Sequence, residues 1–234
     1  MKRFWDSAAA APLDGGWQIL LDGKPMRVPE GGALTLPTEA LAHAVAAEWH
    51  GAGGGKGGET SFSDLPLTRI AGTGQARIAP NPEPVVLELA KYAESDLLCY
   101  RAPSPLALAR RQHEAWEPWL DWAAHRHGAR LVATQGVTHV PQPTAALAAL
   151  AGAVAGFSPL ALAALGVAVP ALGSLVLALA VADGALPVAD AHALSILDEV
   201  FQEEQWGLDN EAAARRKHVS DDLAAAGRML ELLR

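Results

Sequence analysis

The alternation of apolar and polar positions changes character near residue 80. Before that point the apolar runs are short and broken by turn residues. Trp17-Gln-Ile-Leu-Leu21, then Asp22-Gly23, then Lys24-Pro-Met-Arg-Val28 predicts a hairpin, because Asp-Gly suits the two positive-φ positions of a type I′ turn. Pro25 has no N–H to give a ladder, which puts its strand at a sheet edge or its start at a bulge. Residues 33–36 predict a third short strand. Thr38 then caps a helix on which Leu41, Val45 and Trp49 recur at helical spacing, with Glu39 favourable in the first turn. Residues 60–78 are expected to return to the sheet.

Pro80, Pro82 and Pro84 form the best boundary, dividing the chain into 1–82 and 83–234. Beyond it the period becomes helical. Val86, Leu89, Ala90, Ala93 and Leu97 make one stripe. Ser104 predicts an N-cap with Pro105 in the first turn. Trp116, Trp119 and Trp122 share a broad face, and Trp119 and Trp122 are expected in the helical core. Pro118 is expected to kink or restart that helix near Trp116. Residues 130–140 predict an isolated extended pair. Asp190 opens a helix that Gly207 ends, and Asp209 caps the last one through Leu223, Leu230 and Leu233. The fold class is therefore α+β: a small strand-rich N-terminal α+β domain followed by a mainly α-helical C-terminal domain.

No Asp, Glu, Lys or Arg occurs from 131 to 182, and the run 160–182 is long enough to span a bilayer. Much of it is alanine, a weak driver of insertion, and Gly166, Pro170 and Gly173-Ser174 interrupt it. No Lys/Arg cluster flanks it. Two short buried helices joined near 166–170 are predicted, with no stable membrane insertion.

Charge and composition narrow the function. A formal net charge of −8 over 234 residues argues against a phosphate-binding surface, and hence against nucleic acid. Cys99 stands alone among apolar neighbours and reads as a small core residue. The first residues lack the apolar run of a secretory signal and the arginine-rich, acid-free character of a transit peptide. With the alanine-rich composition, this start predicts a bacterial cytoplasm over a mitochondrial matrix. The glycine tract 51–58 imitates a phosphate loop and fails as one. His50 stands where the first glycine is needed, and Gly57 where Ser or Thr must follow Lys56. A flexible linker is expected there. His113 has Glu117, not a second histidine, four residues on, so no metal set emerges. Adjacent acids such as Asp198-Glu199 point about 100° apart on a helix and cannot share a substrate. No catalytic residue, cofactor or metal is predicted, and the protein reads as a non-enzyme.

The most distinctive string is residues 92–122. It holds three of the seven tryptophans, both tyrosines and the cysteine. Tyr92-Ala-Glu-Ser-Asp96-Leu-Leu-Cys-Tyr-Arg101, Arg111-Gln112 and Trp116-Glu-Pro-Trp-Leu-Asp121-Trp122 resemble the signature of the alpha-subunit-binding assembly chaperones of the ATP synthase F(1) sector. The likeness continues in Arg3-Phe4-Trp5, Leu21-Asp22-Gly23-Lys24-Pro25, Glu48-Trp49, Leu67-Thr68-Arg69, Gly136-Val137-Thr138-His139, Leu172-Gly173-Ser174-Leu175 and Gln202-Glu203-Glu204-Gln205-Trp206-Gly207. The chain departs from the pattern at 51–58, where the family is less glycine-rich.

The resemblance implies a chaperone that holds an unassembled subunit of the catalytic sector, with the ATP synthase alpha subunit as partner. Aromatic anchors beside arginine and polar rims are what interfaces use. The expected partner-binding residues are therefore Glu199, Gln202, Glu203 and Trp206 on the polar face of the 190–206 helix, with Asp96 and Arg101 of the signature. Reversing Glu199 and Glu203 is expected to abolish capture while leaving the thermal melt nearly unchanged. The alternative is an enzyme whose dispersed site, built for example from Arg69, Asp96 and Arg101, binds a small anion.

Overall fold

Asp22 (φ 48°) and Gly23 (φ 79°) both take positive φ and close the predicted hairpin. The computed structural model describes residues 1–30, 32–207 and 209–234. The hairpin joins β2 (Gly16–Leu21) to the short edge strand β3 (Lys24–Pro25), with Leu20 opposite Pro25. β2 pairs on its other side with β1 (Ala8–Leu13), which the alanine run concealed from a pattern-based reading. The Asp22 carboxylate accepts from the Ser7 and Asp6 N–H groups and so anchors the start of β1. The predicted strand at 33–36 is instead two fragments. β4 (Arg27–Val28) pairs with β5 (Gly32–Ala33), and β6 (Thr35–Leu36) pairs with β2.

α1 (Glu39–Gly51) starts where expected: the Leu41 N–H donates to the Thr38 hydroxyl, and Leu41, Val45 and Trp49 are buried. Residues 60–78 do not return to the sheet. They form a 3-10 turn at Phe62–Asp64, α2 (Pro66–Thr73) and one π turn, Gly74–Ile78, because Pro66 suits a first turn and Leu67, Ile70 and Ala71 bury one helical face. α2 has no cap of its own, and Glu48 of α1 supplies it. Its carboxylate accepts from the Leu67 N–H at 2.6 Å and the Thr68 N–H at 3.0 Å. The Trp5 and Trp49 rings meet at a tilt with centroids 4.8 Å apart, and buried Arg3 donates to the His50 and Ala52 carbonyls at the end of α1.

The glycine tract is not a free linker. Arg3 N–H donates to the Gly58 carbonyl and Gly57 N–H to the Arg3 carbonyl, which ties the tract to the N-terminal segment. Gly58 passes so close to Gly53 that an added Cβ would stand 1.9 Å from its carbonyl oxygen.

The later elements are helical. The predicted 86–97 stripe is not one helix: α3 (Glu83–Ala90) gives way to 3-10 turns at Lys91–Ser95 and Leu97–Cys99, with Asp96 extended between them. β7 (Tyr100–Arg101) follows. α4 (Leu106–His127) runs unbroken through Pro118, and its N-cap is the extended residue Pro105 rather than Ser104. β8 (Thr134–Gln135) is the strand expected within 130–140, but it pairs in parallel with β7. Then come α5 (Thr144–Ala155), α6 (Pro159–Leu172), α7 (Leu175–Ala182), α8 (Val188–Ser195), α9 (Leu197–Trp206) and α10 (Asn210–Leu232).

The break in the apolar run lies at Gly173-Ser174, not at 166–170. Gly173 takes φ +61°, which few side chains tolerate, and the Ser174 hydroxyl accepts from the Leu177 N–H. The predicted 190–206 helix is likewise two, divided at Ile196, and α8 begins after Pro187. Asp209 caps α10 as expected, accepting from the Glu211 and Ala212 N–H groups.

With 61 % of residues helical and 11 % in strands, almost all of the latter before residue 40, the protein is of the α+β class. No described helix is long and apolar enough to cross a membrane. The chain forms two compact units. One comprises Met1–Pro82, Ser158–Ala164 and Arg228–Arg234; the other comprises Glu83–Phe157 and Leu165–Gly227.

Candidate partner-binding surface

α9 carries the predicted partner-binding acids, and its geometry follows from its apolar stripe. Leu197 is buried and Val200 and Phe201 are half-buried, which turns Glu199, Gln202 and Trp206 toward solvent. Trp206, at the last helical residue before Gly207, is 82 % exposed. The open indole sets one large amphipathic ring among acidic and amide neighbours.

The acids around it are not free. The Arg216 guanidinium of α10 reaches α9, 2.6 Å from Glu203 and 3.2 Å from Glu199. Arg111 of α4 forks onto both Glu204 oxygens at 2.8 Å. Gln112 donates to Asp198 at 2.7 Å while its carbonyl accepts from the Ala102 N–H. α9 is thus clamped by α4 and α10, and Trp206 projects from a rigid mount. These clamps escaped the sequence reading. A signal existed in the acids of 198–204 and the cations 215–217, which are of opposite sign and close in sequence.

Reversing Glu199 and Glu203 would break both ion pairs, so the melt is now expected to fall rather than stay nearly unchanged. Either lysine would face Arg216 across the same gap.

Asp96 and Arg101 are placed elsewhere, in the interior. Asp96 is fully buried, and its carboxylate accepts from Leu98 N–H at 3.1 Å and Val176 N–H at 3.0 Å, capping a 3-10 turn and α7 together. Burial pushes its pKa up to about 6 against the opposing pull of those donors. Arg101 is 8 % exposed, lies 5.2 Å from the Trp116 ring centroid, and donates to the Gln112 carbonyl and the Glu117 carboxylate. Both side chains are buried and bonded within the fold. Desolvation lowers the Arg101 pKa, with Glu117 opposing. Cys99 is buried and its thiol is pushed up to about 12, mainly by desolvation. No group of metal-ligating side chains gathers among the described residues.

Trp116, not Trp119 or Trp122, is the core tryptophan of α4. It is fully buried and donates to the Leu194 carbonyl at 3.0 Å, whereas the other two are half-buried and lean on each other at 6.4 Å. On a helix, spacing of three drifts about 60° per step, so only one of the trio can face the core squarely.

The model of the family described as ATP12 chaperone protein matches residues 2–124, which include the Arg3 clasp, the Glu48 cap and the signature string. The chain belongs to the ATP12 chaperone family. It is similar along its whole length to Atp12 from Paracoccus denitrificans, with 42 % identity, TM-score 0.93, and coverage of 100 % of this chain and 98 % of that one. A point mutant of P. denitrificans Atp12p matches at 41 % identity with the same TM-score and coverage. A protein from Agrobacterium tumefaciens matches at 40 % identity and TM-score 0.93, over 100 % of this chain and 86 % of that one. As an ATP12-family member the protein is a chaperone of ATP synthase assembly.

Proposed function

We propose that this ATP12-family chaperone binds the unassembled alpha subunit of the ATP synthase F1 sector in the bacterial cytoplasm and keeps it from aggregating. A holder of this kind needs no nucleotide and no catalytic turnover. It covers a client surface until the true neighbouring subunit competes for it. The observation that carries the reading is Trp206. An indole 82 % exposed, on a helix clamped at both flanks, is an interface anchor in search of a pocket. The exposed Glu199 and Gln202 supply the polar rim, with half-buried Glu203 beside them. Asp96 and Arg101 serve the same surface indirectly, by holding α7 and α4.

The test offers the purified chain a mixture of unfolding alpha and beta subunits and identifies what it retains. Wild type is expected to retain alpha and suppress its light scattering. Trp206→Ala is expected to weaken retention at least about tenfold, as loss of a hot-spot aromatic does, with an unchanged melt. Preference for beta would overturn the client assignment; full retention by Trp206→Ala would remove the surface.

A further inference from the structure

Away from α9, the unit that holds the helical elements has a groove between α3 and α5. It encloses about 620 Å³. Pro84, Leu87 and Ala90 form one wall and Leu147, Ala148 and Ala151 the other. Leu87 is 55 % exposed on that wall. α5 is more unusual still. It contains no charged residue, and the positions it turns to solvent include Ala145, Ala148, Gly152 and Ala155. A surface helix ordinarily meets water with a polar face; one apolar all round is ordinarily covered. A second cavity of about 370 Å³ flanks α3 on its other side, sharing Pro84 and Glu88 and ending at Gly166 and Pro170.

The charged rim of the groove comes from α3 and the 3-10 turn after it, and it is acidic: Glu83, Glu88 and Glu94 against Lys91. Lys91 is occupied by Glu88 at 2.5 Å. Glu83 and Glu94 line the groove with no ion pair among the described residues. We infer that the α3–α5 groove is a docking site for a basic amphipathic helix of a partner protein. Its apolar stripe would lie on Leu87 and α5, and its Lys or Arg side chains would face Glu83 and Glu94. Alanine and glycine on α5 let a second helix approach to the short end of the usual 8–10 Å interaxial range. Both walls are helices with their backbone bonds made internally, so the groove offers no strand edge for an extended peptide. The acidic rim also opposes an anionic lipid surface. The inference is independent of Trp206 and of the identity of the client.

The experiment uses the full chain and synthetic peptides of about 18 residues, five helical turns. One contains Leu, Ala and Lys in amphipathic order; the second has the same residues in scrambled order; the third carries Glu in place of Lys. Binding is followed by fluorescence anisotropy of the labelled peptide. The amphipathic lysine peptide is expected to bind saturably at one site. Ala148→Trp, which fills the groove from an exposed position, and the pair Glu83→Lys with Glu94→Lys are each expected to weaken it at least about tenfold. Trp206→Ala should leave it unchanged. Melting curves check that the variants are folded, and Leu87→Asn provides a milder second disruption. Equal binding of the scrambled or glutamate peptide, or indifference to both Ala148→Trp and Leu87→Asn, would overturn the inference. So would self-association of the wild type that Ala148→Trp abolishes, since a second copy would then be the occupant.

Discussion

Arg216 stands 2.6 Å from Glu203, its guanidinium bridging on to Glu199, so the last two helices are joined by a cation that sequence places thirteen residues beyond its nearer partner. The Arg216 side chain is only 15 % exposed. The pair Glu199→Lys with Glu203→Lys is therefore expected to lower the melting temperature, because three cations then crowd one place. Adding Arg216→Glu should recover much of the loss. A triple variant no more stable than the double would show that the bridge contributes nothing to the fold.

Trp116→Ala should cost about 3–5 kcal/mol in denaturant unfolding, the usual range for emptying a fully buried indole site. It also strands the Leu194 carbonyl and removes the ring beside Arg101. Trp122→Ala, at a half-buried position, should cost clearly less. Equal losses would mean that Trp122 is as deeply seated as Trp116.

Asp96 should make stability depend on pH. Its folded pKa of about 6 lies above the ordinary carboxylate value of about 4, so the native state holds a proton that the unfolded chain has released. Its contribution is complete below about pH 4 and is lost as pH rises through about 6. Melts of wild type and Asp96→Asn from pH 4 to 8 read this directly. The stability of wild type relative to the variant should fall across that window, and a constant difference would dismiss the linkage.

Cys99 should resist thiol reagents in the native protein, since it is buried and its pKa of about 12 leaves almost no thiolate at neutral pH. Full and rapid labelling should appear only in denaturant. Fast native labelling would show that the 97–101 segment opens readily.

Gly58→Ala should destabilise the N-terminal segment by more than about 1 kcal/mol, because its new methyl meets the Gly53 carbonyl oxygen at 1.9 Å. Limited proteolysis should cut the variant within 51–58 sooner than wild type. Unchanged cleavage would mean the tract carries no fold of its own.

The sequence by itself determined whatever depends on neighbours a few residues apart. Asp22-Gly23 takes the only short turn its φ preferences favour, Thr38 and Asp209 cap the helices they precede, and Gly207 ends α9. The family, and with it the chaperone role, was also legible, because the matching motifs run in order along the chain. Tertiary structure decided wherever two patterns were locally compatible. Residues 66–78 became helical once Glu48 supplied the cap that α2 lacks, and residues 8–13 became a strand because β2 had an edge to fill. For the candidate surface the division is the same. Sequence put Trp206 among acids, but only folding showed that Arg216 and Arg111 engage those acids and that Asp96 and Arg101 are buried. A side chain's burial and ion partners depend on contacts between distant segments, and linear spacing carries no record of which segments meet.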